Sequence, residues 1–138
     1  MEWKDEYSLG ILEIDNQHKL LLRSFTVIED SIKFNHGWSI THYAIIELLQ
    51  LARMHFSFEE ALMHMYAYPG SEKHQKEHQR FFDHSEKIER QSLKKSAEVE
   101  MVQFLEDWLI THILGTDRGY VNHIFSGAQI VRSIGIPS

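Results

Sequence analysis

Seven residues have the types and spacings of metal chemistry: His18, His55 with Glu59, His74 with His78, and His112 with Asp117. His55–Glu59 and His74–His78 are i,i+4 pairs, which a helix stacks on one face, one turn apart. Imidazole and carboxylate are common nitrogen and oxygen donors for transition metals. Five imidazoles and two carboxylates exceed the needs of one ordinary site and suit two ions that share bridging carboxylates. A single histidine on an apolar stripe is more often a hydrogen-bonded core residue than a ligand. Seven such groups buried together without metal would carry several kcal/mol of desolvation for each unpaired charge.

The elements that must position these residues read as helices. Apolar residues recur at spacings of three and four, and no two-residue alternation persists, so the chain is all-α. The first helix is predicted from about Asp15 to Phe34, with Leu21, Leu22, Phe25, Ile28 and Ile32 on one stripe. The second runs from about Ser39 or Thr41 to Tyr66, turning Leu48, Leu51, Ala52, Leu62 and Met63 inward. Tyr68-Pro69-Gly70 is the strongest break, and Ser71 is the expected N-cap of a third helix to about Arg90. After a polar link, Gln91 to Ser96, a fourth starts near Ala97 and reaches Leu114 or His123. Short links imply antiparallel neighbours, hence an up-down-up-down four-helix bundle. An N-terminal extended segment with Trp3, Tyr7, Leu9 and Ile11 is expected to pack across it. The expected organisation is one domain over 1–138, with the bundle at about 15–123 and a short tail at 124–138, where Ile130, Val131, Ile134 and Ile136 are apolar enough to dock.

In such a bundle the starts of helices one and three share an end with the finishes of two and four. All seven candidate ligands therefore converge at one end, each on its helix's apolar stripe. His36 and His42 fall at helix ends, His64 and His84 on other faces, and His123 shares the face of His112 but about 16 Å along the axis; all five read as surface or capping residues. His112 and Asp117 are five apart, about 140° in an ideal α-helix. A wide π-type turn around Gly115 would bring both onto one face, and such turns favour functional sites.

The net charge of −6 argues against nucleic acid or an anionic membrane as partner. No apolar run is long enough for a membrane helix. With 0 cysteines, disulfides and iron–sulfur clusters are excluded. The charged N-terminus lacks a signal peptide's apolar core, and a cytoplasmic monomer is expected.

The residues resemble the hemerythrins, above all the single-domain bacterial ones. The likeness covers roughly residues 3 to 120 and is carried by Ile14-Asp15-Asn16-Gln17-His18, by His55-Phe56-x-x-Glu59, by Tyr68-Pro69 before His74-x-x-x-His78, and by Trp108-Leu109-x-x-His112-x-x-x-x-Asp117. Trp3 and Gly10 also stand where that family often has Trp and Gly. The resemblance implies two non-haem iron ions with an oxo/hydroxo bridge, binding dioxygen reversibly. His74, His78 and His112 would ligate one iron, His18 and His55 the other, and Glu59 and Asp117 would bridge them, leaving one open position for dioxygen on the second iron. Gln17 and Tyr120 are near enough to fix histidine tautomers, whereas Glu77 reads as solvated surface.

Reversible binding also requires a dry pocket, for which Leu21, Phe56, Leu109 and Leu114 are candidates. The protein is expected not to be an enzyme. Ferritin-like oxidases use carboxylate-rich sites with Glu-x-x-His units, which this chain lacks. The alternative is an oxygen, redox or nitric oxide sensing module acting through a partner protein. Leu114→Asn is expected to speed autoxidation, because its polar head would hold water beside the dioxygen site. An unchanged autoxidation rate would remove Leu114 from the pocket.

Overall fold

The computed structural model describes the backbone of residues 2–90 and 95–133; of these, side chains at 95–98, 113–114 and 127–133 are not described. Its elements are a short 3-10 turn at Asp5–Tyr7, α1 (Leu12–Lys33), α2 (Trp38–Met65), α3 (Ser71–Glu89), α4 (Lys95–Thr111), a π turn (His112–Thr116) and α5 (Asp117–Ser133). Packing is cyclic: α1 lies on α2 and α4, and α3 completes the ring on the same two helices. Together with the short connections this is the expected antiparallel bundle. The fourth rod is helical without a break from α4 through the π turn to α5.

Each rod carries the same sequence of layers. One apolar cluster joins Leu21, Leu22, Ala52, Phe56, Phe81, Leu105 and Leu109. A second joins Leu9, Ile14, Met63, Tyr120, Val121 and Ile124. On every helix the candidate ligands fall between residues of the first cluster and residues of the second or its edge: Ile14, His18, Leu21 on α1; Phe56, Glu59, Met63 on α2; Tyr68 ahead of His74, His78 and Phe81 on α3; Leu109, His112, Asp117, Tyr120 on the fourth rod. The polar residues thus form one layer with apolar packing on both sides.

The N-terminal segment crosses this layer. Trp3 and Tyr7 pack into the first cluster, Leu9 and Ile11 into the second. Asp15 holds it down: the Leu9 N–H donates to one carboxylate oxygen at 2.9 Å, and the Ser8 hydroxyl donates to the other at 2.5 Å. Gly10 makes the turn with φ +85°, a left-handed conformation that side chains disfavour, and a Cβ there would also sit 3.3 Å from the Phe125 ring.

Several element ends differ from the sequence reading. Helix α1 starts at Leu12 rather than Asp15, because Asp15 works from inside the first turn, taking the Leu9 N–H at a helix end that favours negative charge. Helix α2 starts at Trp38, since Thr41 turns its hydroxyl inward to Ser31 at 2.6 Å instead of capping. Ser71 is the first helical residue and Gly70 the N-cap. The fourth rod continues past His123 to Ser133. The side chains of Ile130 and Val131, and all of Ile134 and Ile136, lie outside the described residues.

Asp15→Ala leaves the buried Leu9 N–H without its acceptor and should destabilise the protein by about 1–3 kcal/mol. Denaturant unfolding followed by near-ultraviolet dichroism checks this; a loss within error would remove Asp15 as the clasp.

Candidate metal centre

All seven predicted residues come together, and none is more than 3% exposed. His112 and Asp117 meet because the backbone between them is a π turn, as their five-residue spacing requires. The donor atoms form two groups. In each, all atoms lie within 4.8 Å of one another: His18, His55, His112 and Asp117 in one, and Glu59, His74, His78 and His112 in the other.

The carboxylates span both groups. Asp117 lies 2.8 Å from His18 Nε2, 2.9 Å from His112 Nε2, 3.3 Å from His74 Nε2 and 3.8 Å from His55 Nε2. Glu59 lies 2.9 Å from both His55 Nε2 and His112 Nε2, 3.5 Å from His78 Nε2 and 3.9 Å from His74 Nε2. Despite this crowding, Nε2 of His55, His74 and His78, one oxygen of Glu59 and one of Asp117 make no aligned hydrogen bond, though all are buried. Buried polar atoms are rarely left so. Nitrogen and oxygen lone pairs converging without partners fit a pair of cations.

The outer edges of the rings are held. His55 Nδ1 donates to the Gln17 carbonyl oxygen at 2.6 Å, leaving Nε2 as the lone-pair nitrogen facing inward. His78 Nδ1 donates to Glu60 at 3.1 Å. The Phe56 ring stacks on His78 at 3.8 Å and Trp108 on His112 at 4.3 Å, fixing ring planes. The Tyr120 ring meets His74 edge-on at 5.5 Å. Its hydroxyl approaches Glu59 without closing an aligned bond. Burial, Glu59 and Asp117 push that phenol far above its ordinary range, so it stays neutral.

Of the expected pocket residues, Leu21, Phe56 and Leu109 are buried in the apolar cluster beside the ligand layer. The Leu114 side chain lies outside the described residues. Of the expected outer partners, Gln17 bonds its histidine, and Glu77 is half-buried rather than solvated surface. Glu60 was not foreseen; its only signal is its place directly after Glu59. Nor were Ile14 and Met63 as the apolar floor on the far side, although both share a stripe with a ligand. The remaining histidines stay out of the layer. His36, His64 and His84 are exposed, His42 stacks on Trp38, and His123 donates to the Tyr66 carbonyl at 2.8 Å, capping the end of α2.

Without cations the charges must balance within the layer. Burial opposes ionisation of Glu59, and Asp117 adds repulsion, but His55 and His112 outweigh both and hold it well below its ordinary value. Asp117 is likewise held down against burial, chiefly by His112. In return Asp117 and Glu59 overcome burial and raise His112 to about 10, and His55 is raised in the same way. For His18 burial wins, and its value is lowered. In the metal-free centre at neutral pH His112 is therefore an imidazolium beside the two carboxylates, and His55 is shifted in the same direction.

The comparisons with known proteins agree with this geometry. The hemerythrin HHE cation binding domain matches residues 9–124. A bacteriohemerythrin of Pseudomonas paraeruginosa is 33% identical over 123 residues, covering 88% of this chain and 80% of the relative. One of Clostridium acetobutylicum is 30% identical over 127 residues, covering 87% and 98%. A hemerythrin-like protein of Naegleria gruberi is 30% identical over 118 residues, covering 86% and 88%. The chain belongs to the hemerythrin family.

Metal must displace the proton on His112. Loading the metal-free chain at pH 7 should therefore release protons, that of His112 among them. His112 is raised above its unfolded value, so the competing proton is bound throughout the range below about 10, and affinity should climb as pH rises toward that value. Titration in weakly buffered solution with a pH indicator reads both; uptake without proton release would contradict the charge assignment.

Proposed function

We propose that this hemerythrin-family chain binds dioxygen reversibly at a pair of non-haem irons and acts as an oxygen carrier or store rather than as an enzyme. The observation that carries the reading is the donor layer itself. Two fully buried carboxylates each reach histidines of both donor groups, with unpartnered nitrogens and oxygens between them. The bacteriohemerythrin names of its relatives, and the resemblance set out above, support the choice of iron and dioxygen.

On this reading His74, His78 and His112 would hold one iron, His18 and His55 the other, and Glu59 and Asp117 would be shared between them. When bound, the iron pair would supply the electrons that reversible dioxygen binding needs. The protein's own part is position, charge and dryness. Gln17 and Glu60 keep the Nε2 atoms of His55 and His78 turned inward. Phe56 and Trp108 stop two imidazoles from rotating. Glu59 and Asp117 offset cationic charge where no water can. Leu21, Phe56 and Leu109 on one side, with Ile14, Met63 and Tyr120 on the other, exclude bulk water and the protons it would deliver.

The donor set favours binding over oxidation of a substrate. Five of seven donors are neutral imidazoles, and anionic donors are what stabilise the higher oxidation states of iron.

Metal-free protein reconstituted with ferrous iron under nitrogen should take up two irons per chain. A visible charge-transfer band should then appear with dioxygen and vanish on its removal over repeated cycles. Permanent oxidation on the first exposure, or sustained dioxygen consumption with an added substrate, would end the carrier reading.

A further inference from the structure

The centre is sealed, yet a folded chain must receive its metal from water. His74 and His112, each 3% exposed, line surface grooves. One groove, of about 260 Å³, is walled by Tyr68, Gly70, Lys73, His74, Glu77 and Thr116. The other, of about 300 Å³, is walled by Glu77, Arg80, Trp108, Thr111, His112 and Thr116. They share two residues that face each other across the gap between α3 and the fourth rod: Glu77 and, on the π turn, Thr116.

Glu77 stands out by what it lacks. It is half-buried, three residues after His74 and one before His78. Among the described residues it has no hydrogen bond and no ion pair, although Lys73 and Arg80 are its helix neighbours. Glu60 on α2, by contrast, is bonded to a ligand histidine. Across from Glu77 the rod is at its widest turn, and Gly115 beside Thr116 has open space where a side chain would be.

Building on the metal-binding reading above, we propose that Glu77 is a transit ligand: its carboxylate captures a hydrated divalent ion at the mouth of both grooves and passes it between α3 and the π turn to His74 and His112. A carboxylate is a hard oxygen donor that takes ions still carrying water, whereas the imidazoles within select transition metals. Lys73 and Arg80 are exposed and repel cations, so Glu77 is the attractive element at an otherwise positive rim. It governs the rate of loading and leaves the final affinity to the seven inner ligands.

The test is cobalt(II) uptake by the metal-free full chain without oxygen, followed by visible absorption in stopped flow and by released protons, with final stoichiometry from a chelator competition. Glu77→Gln should load at least about tenfold more slowly, to the same end-point. Glu77→Asp should keep most of the rate. Glu72→Gln, which removes the same charge from an exposed position on α3, should change nothing, and Lys73→Gln with Arg80→Gln should load faster. Wild-type rates in Glu77→Gln, or equal slowing in Glu77→Gln and Glu72→Gln, would overturn the proposal. So would loading that tracks each variant's unfolding rate. If the wild-type chain bound no cobalt, the metal-centre reading itself would fail, a result distinct from these.

Discussion

Two carboxylates buried to 0% exposure, Glu59 and Asp117, set the terms for the rest of the molecule. An ionised carboxylate is stable inside a protein only beside compensating positive charge. Here that charge comes from the proton on His112, with His55 shifted in the same direction, or from cations that take its place. The layer accommodates both because its donors belong to all four rods and surround the carboxylates from several directions. Removing one carboxylate would leave the His112 imidazolium undercompensated, and removing the imidazoles would strand carboxylates. The seven residues act as a single electrostatic unit.

Helix geometry limits how such a unit can be built. Positions four apart serve α2 and α3, which supply His55 with Glu59 and His74 with His78. The fourth rod must supply a histidine and a carboxylate and then return to apolar packing with Tyr120, Val121 and Ile124. The π turn shifts the phase so that Asp117 faces inward beside His112 and Tyr120 still meets the second apolar cluster. The wide turn is less tightly bonded than α-helix. Trp108, stacked on His112 one turn earlier, and Arg118, whose guanidinium donates to the Glu6 carbonyl at 2.7 Å, brace the rod on either side.

Much of this was legible in the sequence, for reasons of periodicity. Spacings of three and four marked the helices, i,i+4 donor pairs marked the ligand faces, and the awkward gap of five between His112 and Asp117 marked the π turn. What stayed hidden depends on how helices rotate against one another or on chain reversals. The bond from the Leu9 N–H to Asp15 joins an extended segment to a helix turn, and no period encodes it. Glu60 as the partner of His78 depends on the distance between α2 and α3. Glu77 looked like surface because its helix phase is polar; the neighbouring rod half-covers it. Helix starts at Leu12 and Trp38 escaped notice because neither begins with a side-chain cap.

The layered arrangement also decides where the centre can communicate with solvent. Above and below, apolar clusters close it, and on the α1 side the N-terminal segment is strapped across by Asp15. A polar flank remains between α3 and the fourth rod, where Glu77 and, on the π turn, Thr116 line both grooves. The feature that aligns Asp117 with His112 therefore also thins the wall beside His74 and His112. Straightening the turn into α-helix would swing Asp117 out of the layer. Alignment of the donors and access to them thus arise from one local departure in helix geometry.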